Sequence, residues 1–220
     1  MEIGTLIREL GGGMWISAEI FILTLLFSLP LGLVVAFGRM SKIAPVRWIS
    51  KLYISIMRGT PLMLQLMVVY FGPYYLFGMR ISTGYRMTAV LIGFAINYAA
   101  YFAEIYRAGV QSIDHGQHEA AKTLGFSRWQ TMRIIIIPQT IARVIPPVSN
   151  EVITLIKDTA LVTAIGVGEL LKAAKDANNR DVNPTAFFIA AVIYLALTFL
   201  LTLLSQWCEK RFSRHERKEA

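Results

Sequence analysis

Two groups of residues in this 220-residue chain are of types and spacings that could do chemistry. The first is a set of polar side chains stranded in apolar sequence: Asn97, Tyr101 and Glu104 in one stretch, Asn150, Glu151 and Lys157 in another. An ionisable side chain at membrane depth is costly, so it faces a partner or a wet cavity. Together these residues offer amide and phenol donors beside carboxylate acceptors, a mixture suited to a polar solute. Plainer readings stand next to this one. Glu104 could pair with Arg107, Asn97 could bridge two helices, and Glu151 could pair with Lys157 or Arg143. The second group is Glu119-Ala120-Ala121 followed by Gly125, a polar helix-forming run between apolar segments. Asp114 and Gln117 fit a capping box, and Gly125 is placed to end the helix in a left-handed conformation. The spacing predicts a helix over about 114–125, roughly 15 Å long. Ser127 and Gln130 repeat the start signal for a return helix running up to Pro138. A passive linker needs neither cap, so this loop is built to touch something.

Other chemistry is excluded on residue grounds. The run Gly116–Thr123 differs from a phosphate-binding loop only at Ala121, but the missing glycine is the one whose backbone must approach phosphate, and no strand precedes it. Nucleotide is therefore not expected here. His115 and His118 lie beside Asp114 and Glu119 with no third ligand of clear spacing, so no metal site is expected. A lone Cys208 excludes an intrachain disulfide. A membrane-embedded enzyme would need a nucleophile and a base at depth. All three histidines, His115, His118 and His215, fall outside the apolar segments, so no catalytic residue is expected.

The elements that must carry these groups follow from composition. Hydrophobic residues make up 55% of the chain and charged ones 16%, which is a polytopic membrane composition rather than a soluble one. The start, Met1-Glu2-Ile3, lacks a basic region and a cleavage site, so the first apolar segment reads as a retained span. Five segments approach the ~20 apolar residues a spanning helix needs: roughly 15–37, 52–77 (interrupted by Gly59-Thr60-Pro61), 87–106, 134–156 and 186–207. The fourth is unusually polar, and Pro138, Pro146 and Pro147 are expected to break or kink it. Arg39, Lys42, Arg47, Lys51 and Arg58 separate the first two spans, and Lys210, Arg211, Arg214, Arg217 and Lys218 follow the last. The net charge of +8 thus marks a cytoplasmic face rather than a nucleic-acid partner, and predicts an N-out, C-in topology. Small residues recur four apart at Ser28, Gly32 and Ala36, and at Ala95, Ala99 and Ala103, a pattern that lets helix backbones pack closely. Residues 1–220 read as one transmembrane unit, an all-α membrane protein of five helices.

The second group also carries a family resemblance. Glu119-Ala120-Ala121, Gly125 and Ile135-Ile136-Ile137-Pro138 resemble the EAA motif of the membrane-integral permease subunits of bacterial ABC importers, which usually have Leu where Ile137 stands. Arg58-Gly59-Thr60-Pro61-Leu62 with Gln65 is similar to the second-span signature of the polar amino acid uptake group. So are Asn97-Tyr98-Ala99-Ala100-Tyr101 with Glu104, Arg107 and Gly116-Gln117, and Lys157-Asp158-Thr159-Ala160-Leu161-Val162, to its later segments. The likeness runs from about Trp15 to Trp207. It implies the type I ABC importer transmembrane fold in a bacterial plasma (inner) membrane. It implies four partners: an ABC ATPase subunit that binds ATP and Mg, a second permease subunit, an extracytoplasmic amino acid-binding protein and an amino acid substrate. It implies that Glu119, Ala120, Ala121 and Gly125 form the helix that couples to the ATPase. It also implies that the third and fourth spans line the pathway, with Asn97, Tyr101, Glu104, Asn150 and Glu151 as candidate contacts. The two carboxylates favour a cationic side chain such as that of arginine, histidine or lysine. A channel or secondary transporter would need no such coupling helix.

Overall fold

The computed structural model describes residues 3–80, 82 and 84–212; His215, Arg214, Arg217 and Lys218 lie outside them. All regular structure among the described residues is helical. Helix α1 spans Ile3–Arg39 and begins well before the expected residue 15. Hydropathy excluded its first turns because they carry Arg8 and Glu9. They are helical because the seam of buried residues starts there: Leu6, Leu10, Gly13, Ser17, Ile20, Thr24, Ser28, Gly32 and Ala36 recur every three or four positions along one face.

The first part of that seam, Leu6 to Gly13, packs on α8, Leu170–Asp181, and its later part packs on α4, Tyr85–Gln111. A Cβ on Gly32 would come within 2.8 Å of the Phe102 Cβ and 3.1 Å of the Ala99 carbonyl, so glycine is what permits the approach. Ala36, Ala99 and Ala103 are fully buried at the same crossing. The two small-residue stripes therefore face each other.

The expected second span is two helices. Helix α2, Ala44–Gly59, and α3, Leu62–Phe77, meet at a bend of 107°. Pro61 supplies no N–H and forces Thr60 into an extended conformation (φ −124°, ψ 148°). The carbonyls freed at the end of α2 are satisfied by side chains. Gln65 donates through Nε2 to Met57 O (3.0 Å) and Thr60 O (3.1 Å), and Asn97 donates through Nδ2 to Met57 O (3.1 Å) and Gln65 Oε1 (2.9 Å).

After α4 come α5, His115–Thr123, and α6, Arg128–Gln130, followed by a π-helical turn at Thr131–Ile136 and α7, Ile137–Asp158. The prolines do not break this run. Pro138 follows the π turn, in which Ile137 N–H reaches back five residues to Met132 O. Widening the helix in this way relieves the clash a proline ring makes in an α turn. Helix α7 then continues through Pro146 and Pro147, so of the expected break or kink no break occurs there. A 3₁₀ segment, Thr159–Ile165, leads to α8, Leu170–Asp181, and α9, Thr185–Phe212. By length and apolarity α1, α4 and α9 can cross a membrane, and the α2–α3 pair, bent by 107°, adds a fourth only where the two helices count as one broken span; α7 is helical but too polar to count on this basis.

Candidate functional site

A cavity of about 400 Å³ opens between the end of α2, the second half of α4 and α7. Helix α4 contributes Tyr101, Glu104, Ala108 and Ser112, three or four residues apart, and α7 contributes Arg143, Pro147 and Glu151, four apart. Each set is one helix face. Arg58 closes the third side, its guanidinium carbon 5.2 Å from the centre of the Tyr101 ring. Such a contact holds a cation in place without consuming its hydrogen-bond donors.

The charges divide into fixed and uncommitted. Glu104 pairs with Arg107 one turn on, and Arg107 also donates to Gln111. Arg143 donates to the Ser112 carbonyl and, at 3.1 Å, to Ser112 Oγ. Glu151 faces the cavity with no hydrogen bond or ion pair to any described residue, so the structural pairing with Lys157 is absent among them.

Of the five pathway candidates read from sequence, Tyr101, Glu104 and Glu151 line this cavity. Asn97 and Asn150 are not among the lining residues. Asn97 is buried and holds the α2–α3 bend, while Asn150 is exposed on α7 with its carbonyl accepting from Thr154. Arg58 and Arg143 were not singled out as lining residues. The Arg58-Gly-Thr-Pro run was the available signal for the first; nothing in the sequence aims Arg143 at the same space.

The capped loop lies at the mouth of this cavity, since Ser112 ends α4 and Asp114 begins α5. Asp114 caps α5 by accepting from Gly116 N–H at 2.6 Å. Its expected partner Gln117 does not reach back; Gln117 Oε1 instead lies 3.5 Å from Gln139 Nε2 of α7. Gly125, at φ +79°, closes the helix in a Schellman arrangement, with Phe126 N–H on Ala121 O and Gly125 N–H on Lys122 O, both 3.0 Å. The Ser127–Gln130 capping box is complete in both directions. Glu119 and Ala120 are exposed, but Ala121 is only 1% exposed, so the small surface expected of both alanines comes from Ala120 alone. Ala121 is small because it packs inward.

Sequence reasoning missed Glu169. It is fully buried and caps α8, accepting from Leu171 N–H (2.8 Å) and Lys172 N–H (2.7 Å). It also accepts from Thr163 Oγ1 (2.7 Å) and Tyr194 OH (2.9 Å), joining the 3₁₀ segment, α8 and α9. Glutamate is an uncommon N-cap, so no start signal marked it. Asp158, accepting from Tyr98 OH at 2.8 Å, ties the end of α7 to α4 in the same way.

A chain of long apolar helices with an open cavity edged by Arg58, Glu104, Arg143 and Glu151 and a capped helix beside it suits a transport protein. Comparison with known proteins agrees. The family described as binding-protein-dependent transport system inner membrane component matches residues 28–214. The probable amino-acid ABC transporter permease protein YckA of Bacillus subtilis is 43% identical over 84% of this chain and 80% of its own length. The L-cystine transport system permease protein TcyB and the arginine transport system permease protein ArtQ of the same organism are 38% and 37% identical. They cover 95% and 93% of this chain, and 88% and 92% of their own lengths. A solved structure described as an amino acid ABC transporter with histidines superposes with a TM-score of 0.87 at 34% identity, over 95% of this chain and 96% of that one. An inward-facing MetNI methionine ABC transporter shares the fold, with a TM-score of 0.75 at 18% identity, over 96% of this chain and 99% of the other. The chain belongs to the binding-protein-dependent transport system inner membrane components, the permease subunits of ABC importers.

Proposed function

We propose that this chain is one of two permease subunits, identical or related, that together pass a polar amino acid across a bacterial inner membrane. An extracytoplasmic binding protein delivers the substrate, and α5 docks on a separate ATPase subunit that holds ATP and Mg. The N-terminus lies outside and the C-terminus in the cytosol, with α7 completing a five-span unit as its polar, pathway-lining helix. The chain itself performs no catalysis.

The observation that carries this reading is the position of the cavity next to the capped loop, where Ser112 lines the cavity two residues before the Asp114 cap. An amino acid carries a carboxylate and an ammonium, and the cavity supplies Arg58 and Arg143 with Glu104 and Glu151. Balanced charge of this kind suits a zwitterion and does not by itself select a cationic side chain. Arg143 bonds to Ser112, two residues before the α5 cap, and Gln139 lies against Gln117 within α5. A push on Glu119 and Ala120 is thereby transmitted to the helix that bears Arg143 and Glu151 by direct contacts.

The test is ATP-driven uptake by the complex of this chain with its ATPase and binding protein in proteoliposomes, using a panel of labelled amino acids. Accumulation of at least one polar amino acid that requires ATP and all subunits is expected. An assembled, ATP-hydrolysing complex that moves none of them would overturn the reading.

A further inference from the structure

Helix α2 presents two exposed faces that neither the cavity nor the capped loop uses. Its inner face is committed: Ile54 is buried, Tyr53 OH bonds to Ile96 O, and a Cβ on Gly38 would meet Ser50 Oγ at 2.5 Å. These contacts place the first half of α2 beside the end of α1 and lead its second half toward the middle of α4. Trp48, Ile49, Leu52 and Ile56 form an exposed apolar face, with Trp48 63% exposed. On the adjoining face stand Arg47 and Lys51, four apart and exposed, with Lys42 exposed just ahead. No side chain caps the start of α2. No Asp or Glu occurs anywhere between Glu19 and Glu104, so this collar of cations has no acid from its own or the neighbouring segments of α1 and α3 to neutralise it.

We infer that the first half of α2 is a binding site for anionic phospholipid. Arg47 and Lys51, with Lys42, hold the headgroup phosphate, and Trp48, Ile49 and Leu52 lie along the upper acyl chains. An apolar face with an aromatic ring next to a basic face is the pattern of a helix seated in the membrane interface, where anionic lipid attracts cations and Trp prefers the boundary. Charge complementarity selects lipid over a second copy of this chain, whose corresponding surface is equally basic. The site bears on transport because Arg58, at the other end of the same helix, closes the cavity. An α2 held at the surface keeps Arg58 in place.

The experiment uses the full-length permease with Trp15, Trp129 and Trp207 replaced by Phe, so that Trp48 alone reports, in vesicles containing brominated lipid. Brominated phosphatidylglycerol is expected to quench Trp48 at least twice as strongly as the same fraction of brominated phosphatidylcholine. That preference should disappear in the Arg47→Gln/Lys51→Gln double variant and shrink at high salt, where headgroup attraction is screened. Equal quenching by the two lipids in the unaltered basic face would overturn the proposal. So would absence of quenching together with a disulfide between two copies carrying Leu52→Cys (Cys208 replaced by Ser), which would make this face a subunit interface. Because the measurement needs no ATPase or substrate, its failure is distinct from a failure of the transport reading.

Discussion

Glu151 and Gly125 make opposite kinds of argument. Glu151 is a carboxylate with no hydrogen bond or ion pair to a described residue, facing a cavity that also holds Arg58, whose charge acts on it, and Arg143. Its Gln variant keeps shape and hydrogen bonding and removes only charge. If the carboxylate contacts substrate, Glu151→Gln should raise the uptake KM about tenfold or more, the loss of one charge-assisted hydrogen bond. The melting temperature should stay close to wild type. An unchanged KM with a lowered melting temperature would instead make Glu151 structural. Gly125 has open space around it: a Cβ there would meet nothing within 4 Å, so a side chain is penalised only by backbone conformation at φ +79°. Gly125→Val should cost about 1–2 kcal/mol locally and loosen the end of α5 while leaving the membrane helices intact. Normal insertion with reduced ATPase stimulation is the expected result, and full ATP-driven uptake would refute the coupling role. Both residues were legible from sequence, Glu151 by charge in apolar surroundings and Gly125 by its place after a capped helix. Asn97 was legible only as a buried amide. That it serves the α2–α3 bend needed the position of Met57, forty residues away.

At the scale of elements, close approach and capping are the two devices that fix the bundle. Helices α1 and α4 meet through Gly32, Ala36, Ala99 and Ala103, with no room for a larger side chain at Gly32. Gly32→Ile should therefore overpack the crossing by about 1–3 kcal/mol, seen as a lower melting temperature in detergent and poorer assembly. The equivalent change at Gly11, which has nothing within 4 Å, should be tolerated. Glu169 is the corresponding polar device. Removing it strands the half-buried amides of Leu171 and Lys172 and the half-buried hydroxyl of Tyr194, for which the roughly 1–3 kcal/mol cost of an unsatisfied buried group is an upper bound. Glu169→Ala is expected to destabilise more than Gly32→Ile, and Glu169→Gln less than Glu169→Ala, because the amide oxygen still accepts. Equal thermal stability of all three variants and the wild type would sink this assignment of the two devices.

For the molecule as a whole, orientation in the membrane decides which loops an ATPase can reach. The proposed N-out, C-in arrangement puts the α3–α4 loop outside and the α5–α6 turn in the cytosol. With Cys208 replaced by Ser, a cysteine at Ser82 should react with a membrane-impermeant thiol reagent added to intact cells, and one at Ser127 should react only after the membrane is opened. The reverse pattern would overturn the orientation and the cytosolic docking of α5 together.

The division between sequence and structure follows from the range of the interactions. The apolar helices α1, α4 and α9, the basic loops, the caps that open α5 and α6 and the small-residue stripes were readable from the chain. Hydropathy, capping and close-packing depend on residues within a few positions of each other, and such patterns survive in one dimension. The start of α1 at Ile3, the 107° bend at Pro61 and the continuity of α7 through Pro146 and Pro147 were not readable. The first depends on α8, whose Leu170 and Ala174 pack with Leu6 and Leu10, and the second on Gln65 and Asn97 donating to the Met57 carbonyl; α7 keeps its helical course past Pro138 through the preceding π turn. The cavity belongs to the same class. Tyr101, Glu104 and Glu151 announced themselves as polar groups in apolar sequence, but their meeting with Arg58 and Arg143 in one space follows from how α2, α4 and α7 pack, and no local pattern encodes that convergence.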